Sequence, residues 1–320
     1  MCIRDSPYAQ KHNFRLDYSL GSSALNFNYT GEYIESVGGF DLVNGVSLRR
    51  NRYAFNYFGF GNETVNPDPD DLDFNRVRQS KIYVDLLLRK QFANNNGSFS
   101  FGPLLERTKI DQTPDRFISE IGNTDLPNDI FEQRIYSGIK AEFSYKSLDQ
   151  TVNPHKGMKF HLSYNLETNL ENTDFTFGRL STGLTIYQKL DKKGNFIIAS
   201  EVGYEKIDGD FDFFKAPTIG GIHNMRGFRF SRFRGDATFY HITDLRIKLF
   251  KINTGIPFTV GIHGGFDYGR VWEQDVESDK IHNSYGGGIW LDPIDFLVIS
   301  FGQYMSEEDT RFIFKLTHMF

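Results

Sequence analysis

The sequence predicts an all-β fold, a transmembrane antiparallel β-barrel, and three observations carry that prediction. Apolar and polar residues alternate with period two along nearly the whole chain. Aromatic residues make up 16% of it, with 32 Phe and 16 Tyr. The final segment from Arg311 to Phe320 is one amphipathic strand that stops on a bare phenylalanine, as a barrel's closing strand does.

Successive side chains of a strand point to opposite faces, so alternation marks a ribbon with one apolar and one polar side. Met158, Phe160, Leu162, Tyr164 and Leu166 alternate with Lys159, His161, Ser163, Asn165 and Glu167. Ile82, Val84, Leu86 and Leu88 alternate with Lys81, Tyr83, Asp85 and Arg89. Helical spacing explains neither segment. The pattern predicts about fifteen strands, at 13–20, 24–34, 42–50, 52–61, 77–92, 96–108, 131–147, 156–168, 174–190, 194–206, 235–250, 256–269, 282–291, 295–304 and 311–320. Several exceed ten residues, the length of a tilted membrane span and longer than strands of a soluble sandwich.

Short turns built from Gly, Asn, Asp and Pro include 21–23, 94–97, 191–194, 253–255 and 292–293. Longer connections fall near 62–76, 109–130, 207–234 and 270–281. Short turns on one rim and long loops on the other describe a bacterial outer-membrane barrel with its short side periplasmic. Fifteen strands would place the N-terminus outside the cell. Single-chain bacterial barrels have even counts, so a native barrel of about sixteen strands is expected, with a strand lying upstream. Met1 to Ser6 also lacks an apolar signal segment. Residues 1–12 are therefore read as a non-native or disordered leader and 13–320 as the barrel.

The remaining composition narrows the functions. Net charge is −5, which suggests no nucleic-acid partner. Mean hydropathy is −0.44, and no apolar run approaches the ~18 residues of a membrane helix. Inward and outward residues cancel in a barrel, so the polar average does not oppose one. Cys2 is the lone cysteine, and the eight histidines form no metal-ligand spacing. Nothing calls for a metal, a cofactor or an enzymatic reaction. Glu201 and Glu205 read as charged lumen lining, and Asp68, Asp70, Asp71 and Asp73 as a solvated loop.

The segment Gly220, Gly221, Ile222, His223, Asn224, Met225, Arg226, Gly227, Phe228 lies in the longest connection. It resembles the lid-loop motif of the bacterial surface antigen superfamily, which contains outer-membrane protein assembly insertases and two-partner secretion transporters. Asp244-Leu-Arg-Ile-Lys-Leu249 is similar to the strand after that loop, and Phe266-Asp-Tyr-Gly-Arg-Val-Trp272 to a further strand end of the family. Residues 57–64 and 153–157 resemble Bacteroidetes-type members. The resemblance implies a lumen occluded by an extracellular lid loop, and partners among client outer-membrane or secreted proteins, outer-membrane lipid and the machinery that reads the C-terminal strand at Phe320. It also implies periplasmic POTRA repeats ahead of the barrel, so an N-terminally truncated chain is expected.

Strand parity suggests what holds the loop. On 256–269, Phe258, Val260, Ile262 and Phe266 share one face, and Thr259, Gly261, His263, Gly265 and Asp267 the other. A charge facing mid-bilayer lipid costs several kcal/mol, so Asp267 points inward. The same argument turns Asp244, Arg246 and Lys248 inward on 235–250. Arg226 is expected to clamp the loop to Asp267, with Asp244 either standing behind that pair without direct contact to Arg226 or taking the place of Asp267 as an alternative partner. Gly227 would allow close approach, and Phe228 would pack on the inner wall. For Arg229, Arg232 and Arg234 the sequence offers no preference between lumen contact and solvated loop. Three functions are compatible with these features: protein insertion or translocation, a membrane anchor for an upstream phosphoesterase or patatin-like enzyme, and a passive pore.

Overall fold

The computed structural model describes residues 9–19, 24–120, 126–127, 129–253, 255, 258–293 and 297–316. Its strands are β1 (Gln10–Ser19), β2 (Ala24–Val37), β3 (Phe40–Asn56), β4 (Arg76–Phe92), β5 (Gly97–Asp111), β6 (Gln133–Leu148), β7 (Gly157–Asn169), β8 (Thr176–Lys189), β9 (Phe196–Gly209), β10 (Thr218–Ile219), β11 (Phe233–Arg234), β12 (Ala237–Ile252), β13 (Phe258–Trp272), β14 (His282–Pro293), β15 (Ile299–Ser306) and β16 (Thr310–Leu316). Fourteen of them form one antiparallel sheet in chain order, from which only β10 and β11 are absent; those two pair with each other inside the long β9–β12 connection. β1 and β16 are the two ends of the ladder, and no pairing joins them among the described residues.

The alternation becomes two chemically distinct faces. Ile139, Phe266, Tyr285, Ile289, Phe301 and Phe314 are all about half exposed on the outer face. Asp85, Glu106, Glu167, Asp244, Arg246 and Asp267 are buried on the inner face. A folded protein in water does not carry so large an apolar belt uncovered, whereas lipid covers it at no cost. β3 and β4 run 17 residues, beyond the ~9–11 that a tilted strand needs to cross, so their ends stand above the bilayer.

Two readings from sequence are corrected here. The predicted strands 42–50 and 52–61 are one strand, β3. The polar run from Arg49 to Arg52 mimics a turn, but the chain stays extended and pairs with β4 through an irregularity between Arg49 and Tyr53, a bulge that absorbs extra residues without reversing direction. The barrel sheet therefore has fourteen described strands, and the odd count behind the parity inference is not observed. With an even count, the start of β1 and the end of β16 lie on the same rim as the short connections 38–39, 93–96, 149–156 and 190–195; the start of β1 is not on the outer side as expected. The opposite rim carries the long connections 57–75, 112–132, 210–236 and 273–281. Phe320 and the turn 21–23 lie outside the described residues.

Two features position the site. The β9–β12 connection is buried over much of its length against inward-facing strand residues, including Phe213, Lys215, Ile219, Met225, Arg226, Phe228 and Arg232. Beside it the wall is unusually thin: Gly264 pairs with Gly287 and Gly265 with Gly286, and Gly288 pairs with Gly302.

Candidate functional site

The β9–β12 connection is shaped by glycine before it binds anything. Gly220 and Gly221 have φ of +120° and +106°, a region that L side chains rarely adopt. The turn they make closes with Met225 N–H donating to Gly221 O at 3.1 Å and Gly221 N–H to Met225 O at 3.0 Å. A Cβ on Gly220 would stand 2.3 Å from Arg229 O. This tight knot aims Arg226 at the inner faces of β12, β13 and β15.

Arg226 is 3% exposed and uses almost all of its donors there. Its Nε lies 3.1 and 2.9 Å from the two oxygens of Asp267, and Nη2 also donates to Asp267 Oδ1. Its own backbone N–H donates to Asp267 Oδ2 at 2.9 Å. Nη1 reaches Asp244 Oδ1 and Tyr304 Oη, both at 2.7 Å. The guanidinium carbon sits 4.2 Å from the Tyr304 ring centre. Asp244 is therefore a direct partner of Arg226, alongside Asp267. Burial alone would pull the arginine pKa down, but Asp244 and Asp267 outweigh it and raise it well above the usual value. The planar fork explains why arginine stands here: it engages both oxygens of Asp267 while Nη1 reaches Asp244 and Tyr304, a geometry that a point-like ammonium cannot reproduce.

Neighbouring small residues make the space. A Cβ on Gly265 would lie 2.2 Å from Asp244 Oδ1 and 2.5 Å from Arg226 Nη2. A Cβ on Gly227 would lie 2.6 Å from Ser284 Cβ and 2.9 Å from the Met305 carbonyl carbon. Gly227 N–H donates to Ser284 Oγ at 3.2 Å, and Ser306 Oγ donates to Gly227 O at 2.9 Å. Phe228 belongs to a buried cluster with Ile219, Met225, Phe233 and Val271, and it meets the inner wall edge-on at His282 of β14, with ring centres 5.7 Å apart.

The remaining loop arginines are anchors, which the sequence left undecided. Arg232 donates Nε and Nη2 to the two oxygens of Glu308, each at 2.6 Å, and Nη1 to Thr64 Oγ1 at 2.9 Å. Arg229 donates to Pro69 O at 2.7 Å. Arg234 donates to Phe213 O at 2.7 Å and lies among Phe55, Tyr57 and Phe213; burial in that aromatic nest pushes its pKa down to about 10.

Sequence reasoning missed a second anchor altogether. Lys215, 5% exposed, contacts Glu167 of β7 at 2.6 Å and Glu106 of β5 at 3.0 Å. Its ammonium is 4.1 Å from the Tyr136 ring centre on β6. Glu106 in turn holds Lys81 at 2.7 Å. The nearby Asp212 accepts from Tyr136 Oη and from Arg134 Nε. The available signal was the inward parity of Glu106 and Glu167, two carboxylates on nearby strands that call for a cation. The other pair of interest, Glu201 and Glu205, takes Tyr240 with Thr185 and Arg179 with Ser181 respectively, which satisfies both as lumen lining. Asp68, Asp71 and Asp73 form a self-bonded turn, with Asp73 paired to Arg76.

At the short-turn rim a further segment folds inward. Asn153, 3% exposed, donates to Asp292 Oδ2 at 3.0 Å and accepts from Arg246 Nη1 at 3.1 Å. Trp290 and Val298 pack there against Val152.

The family model described as the Omp85 superfamily domain matches residues 8–320. The chain belongs to the Omp85 superfamily. It is thus a bacterial outer-membrane β-barrel. Among solved structures it is similar to BamA from Haemophilus ducreyi lacking POTRA domains 1-3, with a TM-score of 0.66 and 12% identity over 96% of this chain and 70% of that one. It is also similar to CdiB from Escherichia coli (TM-score 0.53, 12% identity, 96% of this chain and 56% of that chain) and to CdiB from Acinetobacter baumannii (0.58, 12%, 96% and 53%). The chain thus spans little more than half the length of the two CdiB proteins. At such identities the likeness is one of fold. None of the curated proteins matches the sequence.

Proposed function

We propose that this Omp85 barrel assists the insertion of outer-membrane proteins or the translocation of secreted ones, with the loop 207–234 clamped in the lumen through Arg226. One observation carries the reading: the clamp secures β12, β13 and β15 right beside β16, whose edge has no partner among the described residues. An unpaired strand edge is a template on which an incoming strand can form backbone hydrogen bonds. A firmly held wall next to it keeps that template in register. The segments 57–64 and 153–157 support a Bacteroidetes-type member.

The test is a disulfide across the edges. In a Cys2→Ser background, cysteine pairs are placed on β1 and β16, beginning with Phe14→Cys with Phe312→Cys, and the pair that oxidises is reconstituted in liposomes. Insertion of a urea-denatured outer-membrane protein is followed by its heat-modifiable migration. Insertion should stop on oxidation and return on reduction; undiminished insertion by the locked barrel would remove the proposal. The anchor reading, with an upstream phosphoesterase or patatin-like enzyme, expects no insertion in either state. A passive pore expects steady conductance, which the buried loop opposes.

A further inference from the structure

We infer that the outer face of β3, β4 and β5, near the long-loop rim, binds the phosphate-bearing headgroup of an outer-leaflet lipid. A cleft of about 300 Å³ opens there, lined by Arg50, Ser80, Ile82, Arg107 and Lys109 together with Arg49 and Lys81. Parity separates these residues. Lys81 is committed inward to Glu106, and Arg49 stacks on Tyr53. Arg50, Arg107 and Lys109 are exposed on the same face as Val84, Leu86, Phe99, Phe101 and Leu105. Register sets the β4 and β5 residues side by side: Lys109 stands opposite Ser80 and Arg107 opposite Ile82, while Arg49 pairs with Lys81 and Arg50, next along β3, lines the same cleft. The short serine leaves the hollow between the flanking cations.

Three cations on a lipid-facing surface need an explanation. None of them makes an ion pair with a carboxylate among the described residues; Arg107 Nε donates to Gln133 Oε1 at 2.7 Å, and the nearest acid in register on this face, Asp111, stands opposite Arg78. At mid-bilayer each would be costly to bury, but near the interface that cost all but vanishes. Height along β5 places them at the interface. From Phe99 near the short-turn rim to Lys109, a strand tilted as barrel strands are rises roughly 25 Å, the height of an apolar band. The cations thus sit at the outer edge of the apolar belt, where headgroups lie. A phosphate fits between them: it offers oxygens to a guanidinium fork and a second charge to the lysine. Continuity with the greasy face selects a lipid, whose acyl chains would lie along Leu105, Val84 and Phe101, over a free anion or an acidic protein.

The experiment uses the full chain in detergent micelles and native mass spectrometry. It compares diphosphoryl lipid A, the same lipid with both phosphates removed, and inorganic phosphate. The diphosphoryl lipid should bind at least tenfold more tightly than the dephosphorylated one. Millimolar inorganic phosphate should not displace it. The variant R50Q/R107Q/K109Q should lose at least tenfold in affinity, whereas Lys90→Gln, an outward lysine at the other rim, should not. Equal binding of the two lipids, displacement by inorganic phosphate, or full retention by the triple variant would each overturn the inference. If the triple variant fails to give a heat-modifiable band, the comparison of the two lipids on the unaltered chain decides the matter.

Discussion

Lys215 and Arg226 sit in one loop and bind different walls of the barrel. Lys215 joins Glu106 and Glu167 on β5 and β7, and Arg226 joins Asp244 and Asp267 on β12 and β13. The segment between them is therefore strung across the lumen, held at both ends by buried ions. Removing one partner of a buried pair costs more than the pair contributes, because the other charge stays behind.

Arg226→Ala should destabilise the clamped segment by about 3–5 kcal/mol, the usual cost of stranding a buried charge. Arg226→Lys should recover only part, since an ammonium keeps the charge but loses the fork that grips both oxygens of Asp267. Limited proteolysis of the folded barrel reads this as faster cleavage within 207–234. An unchanged digestion pattern for both variants would rule the clamp out.

Lys215→Met should loosen the other end. Cleavage is expected to rise around 208–217 while the turn at 220–228 stays protected. The effects of Lys215→Met and Arg226→Ala should add within about 0.5 kcal/mol if the two anchors are independent. Strong non-additivity in urea denaturation would show instead that they form one cooperative unit.

Gly265→Ala tests the space beneath the guanidinium. The added methyl would meet Asp244 Oδ1 at 2.2 Å, and overpacking of this kind costs about 1–3 kcal/mol. The thermal midpoint should fall, and Gly264→Ala should do much less, because only Gly286 O lies near it, at 3.8 Å. Equal losses at the two positions would contradict the packing argument.

The inward turn 149–156 should respond to acid. Burial tends to raise the Asp149 pKa, but the backbone N–H groups of His155 and Lys156, at 2.9 and 3.1 Å, prevail and hold it below its usual 3.8. A lowered folded-state value means that this contribution is complete above the unfolded pKa and disappears as pH falls through the folded one. The turn should therefore hold at neutral pH and loosen only below about pH 4. Trp290 packs against Val152 in this turn, so its fluorescence in a Trp272→Phe background is the readout. A transition near neutral pH would assign the change to a different group, and Asp149→Asn should abolish the acid step.

Much of this molecule could be read from the chain alone, for a specific reason. Lipid outside and ions inside impose opposite demands on alternate residues, so parity separated Phe266 from Asp267 and Leu245 from Asp244. The same rule failed at the outer edge of the apolar belt. There the polar run Arg49 to Arg52 is as acceptable in a strand as in a turn, so the pattern divides β3 in two. Arg226 was legible because glycines and a short motif surround it. Lys215 carries no such flag: it is an ordinary lysine in a loop, and only the folded path brings it to Glu106 and Glu167. Arg232 and Arg234 were ambiguous for the same reason, since their partners Glu308, Thr64 and Phe213 O belong to connections whose course no periodicity reveals.

Tyr304→Phe isolates the link from the loop to β15. It deletes the hydroxyl shared by Arg226 and Asp244 but keeps the ring under the guanidinium. A loss of about 1.5–3 kcal/mol is expected for hydrogen bonds to charged groups, with hydrogen exchange rising in β15 and β16 more than in β12. Uniform exchange across these strands would show that the phenol does not couple the terminal hairpin to the loop.

The bare ribbon of Gly264, Gly265, Gly286, Gly287, Gly288 and Gly302 gives that hydroxyl a mechanical meaning. Where these strands carry no side chains of their own, a Cβ on Gly286 would meet the Tyr304 ring at 2.7 Å and one on Gly265 the Arg226 guanidinium at 2.5 Å. Tyr304 and Arg226 thus serve as keystones for a stretch of wall that has no masonry of its own.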